Sequence, residues 1–376
     1  MFLPLERMSG LKKIQWVFAI VLAFSLVSAS PSFAAEKSLD RYFIEDVPKT
    51  HSAYVELERF LFADWIDGYV TVDTYEDGGE VYEFSSVKVK PSNPITRAQF
   101  TKILVNALNL QAGVVEKTFS DVKRDDWHYK YVQIATSQGI IKGYSDGTFK
   151  PNKKITRAQM ASMIVRAFED TVDFSKSDKS FKDVTTKNSA REAISKAATV
   201  GIVKGYGENF KPNQVANRSQ AVLMIDRAMH LEQGNTEDEA AILTVVERNI
   251  KEELALMAGS TDAKALEKLY RETTTGYLLA SSLEGNALFG DLEDPELEMS
   301  ITLEQIGQHT TSISSINKRL AVVSIDNLVV KMSVIDPDMS FTMNMDISGL
   351  AFLKKMADGS WKIYHIHYDD DDFNLQ

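Results

Sequence analysis

One pattern recurs three times along this 376-residue chain, and it limits the possible fold more than any other feature. The middle copy opens with Phe119-Ser-Asp121-Val122 and passes Trp127. It runs on through Gly139-Ile-Ile-Lys142-Gly143-Tyr144-Ser-Asp146-Gly147-Thr-Phe149-Lys-Pro151 to Ile155-Thr156-Arg157-Ala158-Gln159. A later copy reads Phe181-Lys-Asp183-Val184, Gly201-Ile-Val-Lys204-Gly205-Tyr206, Phe210-Lys-Pro212 and Asn217-Arg218-Ser219-Gln220. An earlier one reads Phe43-Ile-Glu-Asp46-Val47, Asp67-Gly68-Tyr69, Pro91 and Ile95-Thr96-Arg97-Ala98-Gln99. Phe119 and Phe181 lie 62 residues apart, and Arg157 and Arg218 lie 61 apart, so the later copies keep register.

Each copy predicts helix, turn, helix. In the second helix Met160, Met163, Ile164, Ala167 and Phe168 recur at three and four residues, which makes one apolar helical face. The face returns as Phe100, Ile103, Leu104, Ala107 and Leu108, and again as Ala221, Met224, Ile225, Ala228 and Met229. Such a stripe reads as core. The Gly-Tyr-x-Asp-Gly turn supplies residues tolerant of positive φ. In the first copy 23 residues separate Gly68 from Pro91, against 8 from Gly143 to Pro151 and 7 from Gly205 to Pro212. The added stretch alternates over residues 69–75 and 80–84 around Glu76-Asp77-Gly78-Gly79, which predicts an inserted β-hairpin.

Thr96-Arg97-Ala98-Gln99 and Thr156-Arg157-Ala158-Gln159 fit the capping box, and Asn217-Arg218-Ser219-Gln220 keeps its logic. Arg97, Arg157 and Arg218 then sit at the first helical position, where the macrodipole disfavours a cation by about 0.3–1 kcal/mol. Two explanations are open. An anion can bind the helix N-terminus and the guanidinium together, or each arginine pairs with an aspartate of a Phe-x-Asp-Val segment. Trp127, Tyr144 and Tyr206 likewise have two possible roles, stacking on sugar faces or plugging a small module. Lys142 and Lys204, just before the Gly-Tyr pairs, are further candidates for anion contact.

Residues 1–34 have the layout of a secretory signal peptide. Arg7, Lys12 and Lys13 precede an apolar run from Ile14 to Val27, and Ser32-Phe33-Ala34 offers a cleavage site. Cleavage removes three cations and one carboxylate, taking the net charge from −11 to −13. A chain this acidic, with no basic run, is a poor partner for nucleic acid. It has no cysteine, so disulfides, thiolate metal sites and cysteine nucleophiles are excluded.

The run from Phe119 through Gly143-Tyr144-Ser-Asp146-Gly147-Thr-Phe149-Lys-Pro151 to Thr156-Arg157-Ala158-Gln159 resembles a surface-layer homology (SLH) module. The resemblance implies three modules, at residues 40–110 (with the hairpin), 119–170 and 181–232, packed with pseudo-threefold symmetry and with ligand grooves between neighbours. It implies a secreted protein at the cell wall or surface layer, held noncovalently by an anionic secondary cell-wall polysaccharide. The anion it implies is often a pyruvate ketal. Carried over by motif, the polysaccharide-binding residues are Arg97, Arg157, Arg218, Trp127, Gly143, Tyr144, Asp146, Gly205 and Tyr206. All three copies carry glutamine where the family has glutamate. Copy two is the most complete, which favours a groove built on Arg157.

Residues 233–239 read as a linker to a C-terminal domain at 240–376. Helices are expected from Ala240 to about Met257 and from Leu266 toward Leu279. Strands are expected at Met299–Ile306, Ser312–Ile316, Ala321–Val334, Ser340–Lys354 and Trp361–Tyr368, with a turn at Ala357-Asp358-Gly359-Ser360. Helices followed by strands mean α+β, and the order resembles the nuclear-transport-factor-2-like (NTF2-like) or cystatin-like fold. His365 and His367 share one face of a strand, with Asp369–Asp372 beyond, which is thin support for a metal site. No Gly-x-Ser-x-Gly, His-Glu-x-x-His or phosphate-loop motif occurs, while a paired-carboxylate glycosidase site needs no local spacing and stays open. The expected function is therefore wall anchoring of a noncatalytic binding domain with no cofactor. The alternatives are a wall-anchored enzyme with its site in the C-terminal domain, or a structural surface-layer subunit.

Overall fold

The computed structural model describes residues 37–77, 80–114, 117–258, 262–292, 300–336 and 339–369. The expected signal peptide, the tip of the hairpin turn and most of the aspartate tail lie outside the described residues.

Capping sets the start of the second helix in every repeat. In α2 (Arg97–Ala107), α4 (Arg157–Ala167) and α6 (Arg218–His230), the caps Thr96, Thr156 and Asn217 accept from the N3 amide. The glutamines at Gln99, Gln159 and Gln220 complete all three boxes. The predicted apolar faces are buried, Ala167 only partly. Each is preceded by a first helix: α1 (Tyr54–Phe62), α3 (Tyr129–Ser137) and α5 (Arg191–Thr199).

The three repeats close into a cycle. The Ile155 amide donates to Ile95 O at 3.0 Å, that of Ala216 to Ile155 O at 2.9 Å, and that of Ile95 to Ala216 O at 3.0 Å. All three residues are fully buried, so these bonds satisfy backbone groups that water cannot reach. The first two helical amides of each capped helix also find partners in the next repeat. Arg97 N donates to Lys153 O, Arg157 N to Gln214 O and Arg218 N to Asn93 O; Ala98, Ala158 and Ser219 donate to Pro151, Pro212 and Pro91.

The insertion is a hairpin of β1 (Tyr69–Asp77) and β2 (Glu80–Lys88), longer than the sequence suggested. Its base is held by a bridge from Ile44 to the buried Val87.

The rest of the chain turns through a 3-10 segment, Thr236–Asp238, into α7 (Glu239–Met257), α8 (Ala263–Thr273) and α9 (Gly276–Leu292). The single helix expected toward Leu279 is broken at Thr274–Gly276, where Gly276 takes φ +60° and a Cβ would lie 2.0 Å from Phe62 O. Two antiparallel sheets follow, built from β3 (Ser300–Ile306), β4 (Thr310–Ile316), β5 (Leu320–Asp326), β6 (Val329–Asp336), β7 (Met339–Asp346), β8 (Gly349–Lys355) and β9 (Trp361–Tyr368). Their orders are β3-β6-β7 and β4-β5-β8-β9. The two long strands expected at 321–334 and 340–354 are each two strands, because the chain breaks at Asn327 (φ +59°) and at Ile347-Ser348 and changes sheet.

The C-terminal part is docked on the first repeat and on the end of the third. Phe62 stacks on Tyr277 at 4.2 Å, and Trp65 packs on Tyr364. Arg319 pairs with the buried Glu232 at 2.8 Å and donates to Leu108 O, capping the C-terminal end of α2. Phe62, Asp64 and Trp65 stand where the other repeats have Ser137, Gly139 and Ile140, or Thr199, Gly201 and Ile202. The first repeat departs from the pattern where it meets its neighbour. Among the described residues no helix is long and apolar enough to cross a membrane.

Candidate functional site

Each of the three arginines reaches forward into the next repeat. Arg97 Nε donates to Phe149 O at 2.8 Å, Arg157 Nε to Phe210 O at 2.9 Å and Arg218 Nε to Val89 O at 2.7 Å. Their guanidinium groups lie over Tyr144 at 4.9 Å, Tyr206 at 4.9 Å and Tyr69 at 5.3 Å. Lys150, Lys211 and Lys90 sit 4.2–4.5 Å from the centres of the same rings. The tyrosine hydroxyls accept from Gln159, Gln220 and Gln99 of their own repeats. Every Gly-Tyr turn thus presents a ring with at least two cations against it, and Tyr144 has a third in Lys153 at 5.3 Å.

This geometry changes the sequence reading in three ways. The helix N-termini do not receive an anion, since their amides are occupied by carbonyls of the neighbouring repeat and by the caps. Nor, among the described residues, do the arginines form contact ion pairs with the aspartates, whose charges reach them only from farther off. Asp46, Asp121 and Asp183 each grip two backbone amides at 2.7–2.8 Å, at Val89 and Lys90, Phe149 and Lys150, and Phe210 and Lys211. Those bonds fix the αL residues Lys90, Lys150 and Lys211 at φ 53–59°. And the arginine facing Gly143-Tyr144 is Arg97, not Arg157, which instead faces Gly205-Tyr206.

Arg97, Arg157 and Arg218 are only 7%, 5% and 6% exposed. Burial lowers the pKa of each, partly offset by the neighbouring tyrosine. Arg157 and Arg218 spend an Nη2 proton on Lys204 O and Asp67 O. At the equivalent place in repeat two, Lys142 O accepts from Lys117 Nζ, and Nη1 and Nη2 of Arg97 donate to nothing among the described residues.

Those free nitrogens open on a groove of about 460 Å³. Its wall runs from Lys142-Gly143-Tyr144 and Lys153 along α4 to Arg166, and across to Asn188-Ser189-Ala190 of repeat three. Four cations line it (Arg97, Lys142, Lys153 and Arg166) and no carboxylate does. Arg166 donates Nε to Ile140 O at 2.8 Å, and its pKa is lowered by burial and then by the charge of Arg97. Arg166 and Lys153 went unnoticed in the sequence, although Arg166 recurs at Arg227 with the 61-residue spacing of Arg157 and Arg218.

Gly143 and Gly205 matter for space. A Cβ would come within 2.2 Å of Phe119 at the first and 2.3 Å of Phe181 at the second. Trp127 and Asp146 lie outside this groove. Trp127 is 54% exposed, edge-on to His128. Asp146 bonds Thr148 and Lys150, which hold its pKa down to about 2.

The family description "S-layer homology domain" matches residues 118–161 and 180–222. The chain carries S-layer homology domains. The surface-layer 125 kDa protein of Lysinibacillus sphaericus is 27% identical over 280 residues, 72% of this chain and 22% of that one. The cellulosome-anchoring protein of Acetivibrio thermocellus is 32% identical over 151 residues, 37% of this chain and 33% of its own length. An endoglucanase of Bacillus sp. (strain KSM-635) is 32% identical over 180 residues, 44% of this chain and 19% of the enzyme. The chain therefore spans a third or less of each of these relatives. The SLH match and the surface and wall relatives put the protein at the cell surface or wall.

In the C-terminal part, His365 is packed among Phe62, Tyr277 and Phe352 at 5.0–5.8 Å. Burial, with a smaller contribution from His367, brings its pKa down to about 4. Among the described residues no group of three or more His, Cys, Asp and Glu is placed to hold a metal.

Proposed function

We propose that the protein is held noncovalently on the wall by three SLH modules arranged about a pseudo-threefold axis. The ligand is an anionic secondary cell-wall polysaccharide, and the C-terminal domain is displayed without catalysing a reaction. The observation that carries this reading is the groove on Tyr144, four cations and no carboxylate in a chain of net charge −11. A carboxylate fits the free edge of the Arg97 guanidinium, which offers two parallel donors. A pyruvate ketal on a terminal sugar has that carboxylate, and the half-exposed Tyr144 ring and the Asn188-Ser189 edge suit the sugar beside it. The capped helices and the closed backbone cycle hold these groups rigid before the ligand arrives, which lowers the entropic cost of binding.

The C-terminal arrangement of three helices against two antiparallel sheets supports an NTF2-like or cystatin-like reading. A noncatalytic role is supported by His365, whose ring serves as packing for Phe62 and Tyr277. The test is a pull-down of the purified protein with wall sacculi, before and after removal of the secondary polysaccharide. Retention on intact sacculi and loss on stripped ones is the expected outcome. Equal retention on both overturns the reading.

A further inference from the structure

The three Gly-Tyr turns share their geometry but not their charge. Before the glycine stand Lys142, Lys204 and, in the first repeat, Asp67. At the position of Arg166 on the capped helix stand Arg227 and, in the first repeat, Asn106. Two cations of the other repeats are thus replaced by a carboxylate and an amide. The Asp67 carboxylate lies 2.8 Å from Lys37 and 2.5 Å from Lys102, so it also ties up the nearest ammonium groups. Burial acts against its charge, but these two lysines outweigh it and hold Asp67 at a pKa of about 2, ionised at any physiological pH. Arg218 spends its Nη2 on the Asp67 carbonyl as Arg157 does on that of Lys204, so the difference between these two grooves lies in the side chains, and the hairpin rises directly from Tyr69.

We propose that Asp67 and Asn106 exclude the anion from the groove on Tyr69, so that the protein takes up two anionic wall groups, on Tyr144 and Tyr206, and not three. This rests on the reading of the Tyr144 groove as the anion site. The reason is electrostatic: where the other grooves offer an ammonium, an incoming carboxylate meets Asp67, whose ion pairs with Lys37 and Lys102, the former also shared with Asp64, leave a cluster with no net positive charge to draw an anion. Asp67 and Asn106 are then specificity-determining residues that make the modules unequal.

Calorimetric titration of the full protein tests this, with the methyl glycoside of a pyruvate-ketal N-acetylhexosamine as probe, since it carries one carboxylate. Two sites per chain are expected. Lys142→Asp, at an exposed position, is expected to weaken one of them by about tenfold or more. The pair Asp67→Lys with Asn106→Arg is expected to create a third. Three sites in the unaltered protein, or two undiminished sites in Lys142→Asp, overturn the proposal while leaving wall binding intact. No uptake of the probe at all overturns both this proposal and the reading beneath it.

Discussion

Gly139, Gly143 and Gly205 separate two costs of adding a methyl group. Gly139 has φ +70° and open space, so Gly139→Ala meets only the left-handed backbone. That costs about 1–2 kcal/mol, less the 0.4–1 kcal/mol or so regained because alanine restricts the unfolded chain. Gly205 is not at positive φ, yet its Cβ would lie 2.3 Å from Phe181 Cε1 and 2.9 Å from Asn209 O. Gly143 combines both problems, with φ +68° and a contact of 2.2 Å to Phe119 Cε1. Phe119 is buried and packs on Phe149 at 5.8 Å, so its ring cannot swing clear without disturbing the core. Overpacking of this kind costs about 1–3 kcal/mol. Gly139→Ala should therefore lose about 0–1.6 kcal/mol, and Gly143→Ala about 1–3 kcal/mol more than that. Urea unfolding measures both, and Phe119→Leu introduced into Gly143→Ala should recover about 1 kcal/mol as a positive coupling. Equal losses at Gly139 and Gly143, or zero coupling to Phe119, would refute the reasoning that these glycines serve close approach of the aromatic ring.

Asp121→Ala removes both acceptors from the Phe149 and Lys150 amides and should cost about 2–3 kcal/mol in unfolding experiments. Asp146→Ala, at an exposed turn, should cost far less; the reverse order would reject the assigned roles. His365 has a folded pKa of about 4, below its usual 6.5, so the unfolded chain binds more protons between those values. The stability is complete above about pH 6.5 and falls on acidification toward pH 4, by on the order of 3 kcal/mol. Denaturation midpoints measured at pH 7 and pH 4.5 should show this drop, and His365→Phe should flatten it. A variant that keeps the full pH dependence would exclude His365 as its source.

Much of the repeat region is written locally. The boxes at Thr96, Thr156 and Asn217 and the faces built on Phe100, Met160 and Met224 need only residues three or four apart, so the sequence states them directly. The groove depends on partners from different repeats. Arg97 meets Tyr144 because the first two amides of α2, those of Arg97 and Ala98, are bonded to Lys153 O and Pro151 O of the next repeat, a relation that spacing within one copy cannot express. For the same reason the arginines looked misplaced at a helix N-terminus. Their side chains leave the dipole and settle on carbonyls of the next module. In the C-terminal part, an apolar run such as 321–334 carries no periodic mark of the bend at Asn327, so two strands read as one. The docking residues Phe62 and Trp65 were visible only as breaks in a repeat.

On the proposed function, the cationic groove on Tyr144 binds an acidic wall glycan. The most direct measurement is the affinity of the purified protein for wall polysaccharide fragments, native and carboxyl-reduced, alongside Arg97→Gln. Native fragments should bind the unaltered protein best. Carboxyl reduction and Arg97→Gln should each weaken binding by about tenfold or more, and the two together by little beyond either alone. Equal affinity for native and reduced fragments, or full additivity of the two changes, would contradict the claim.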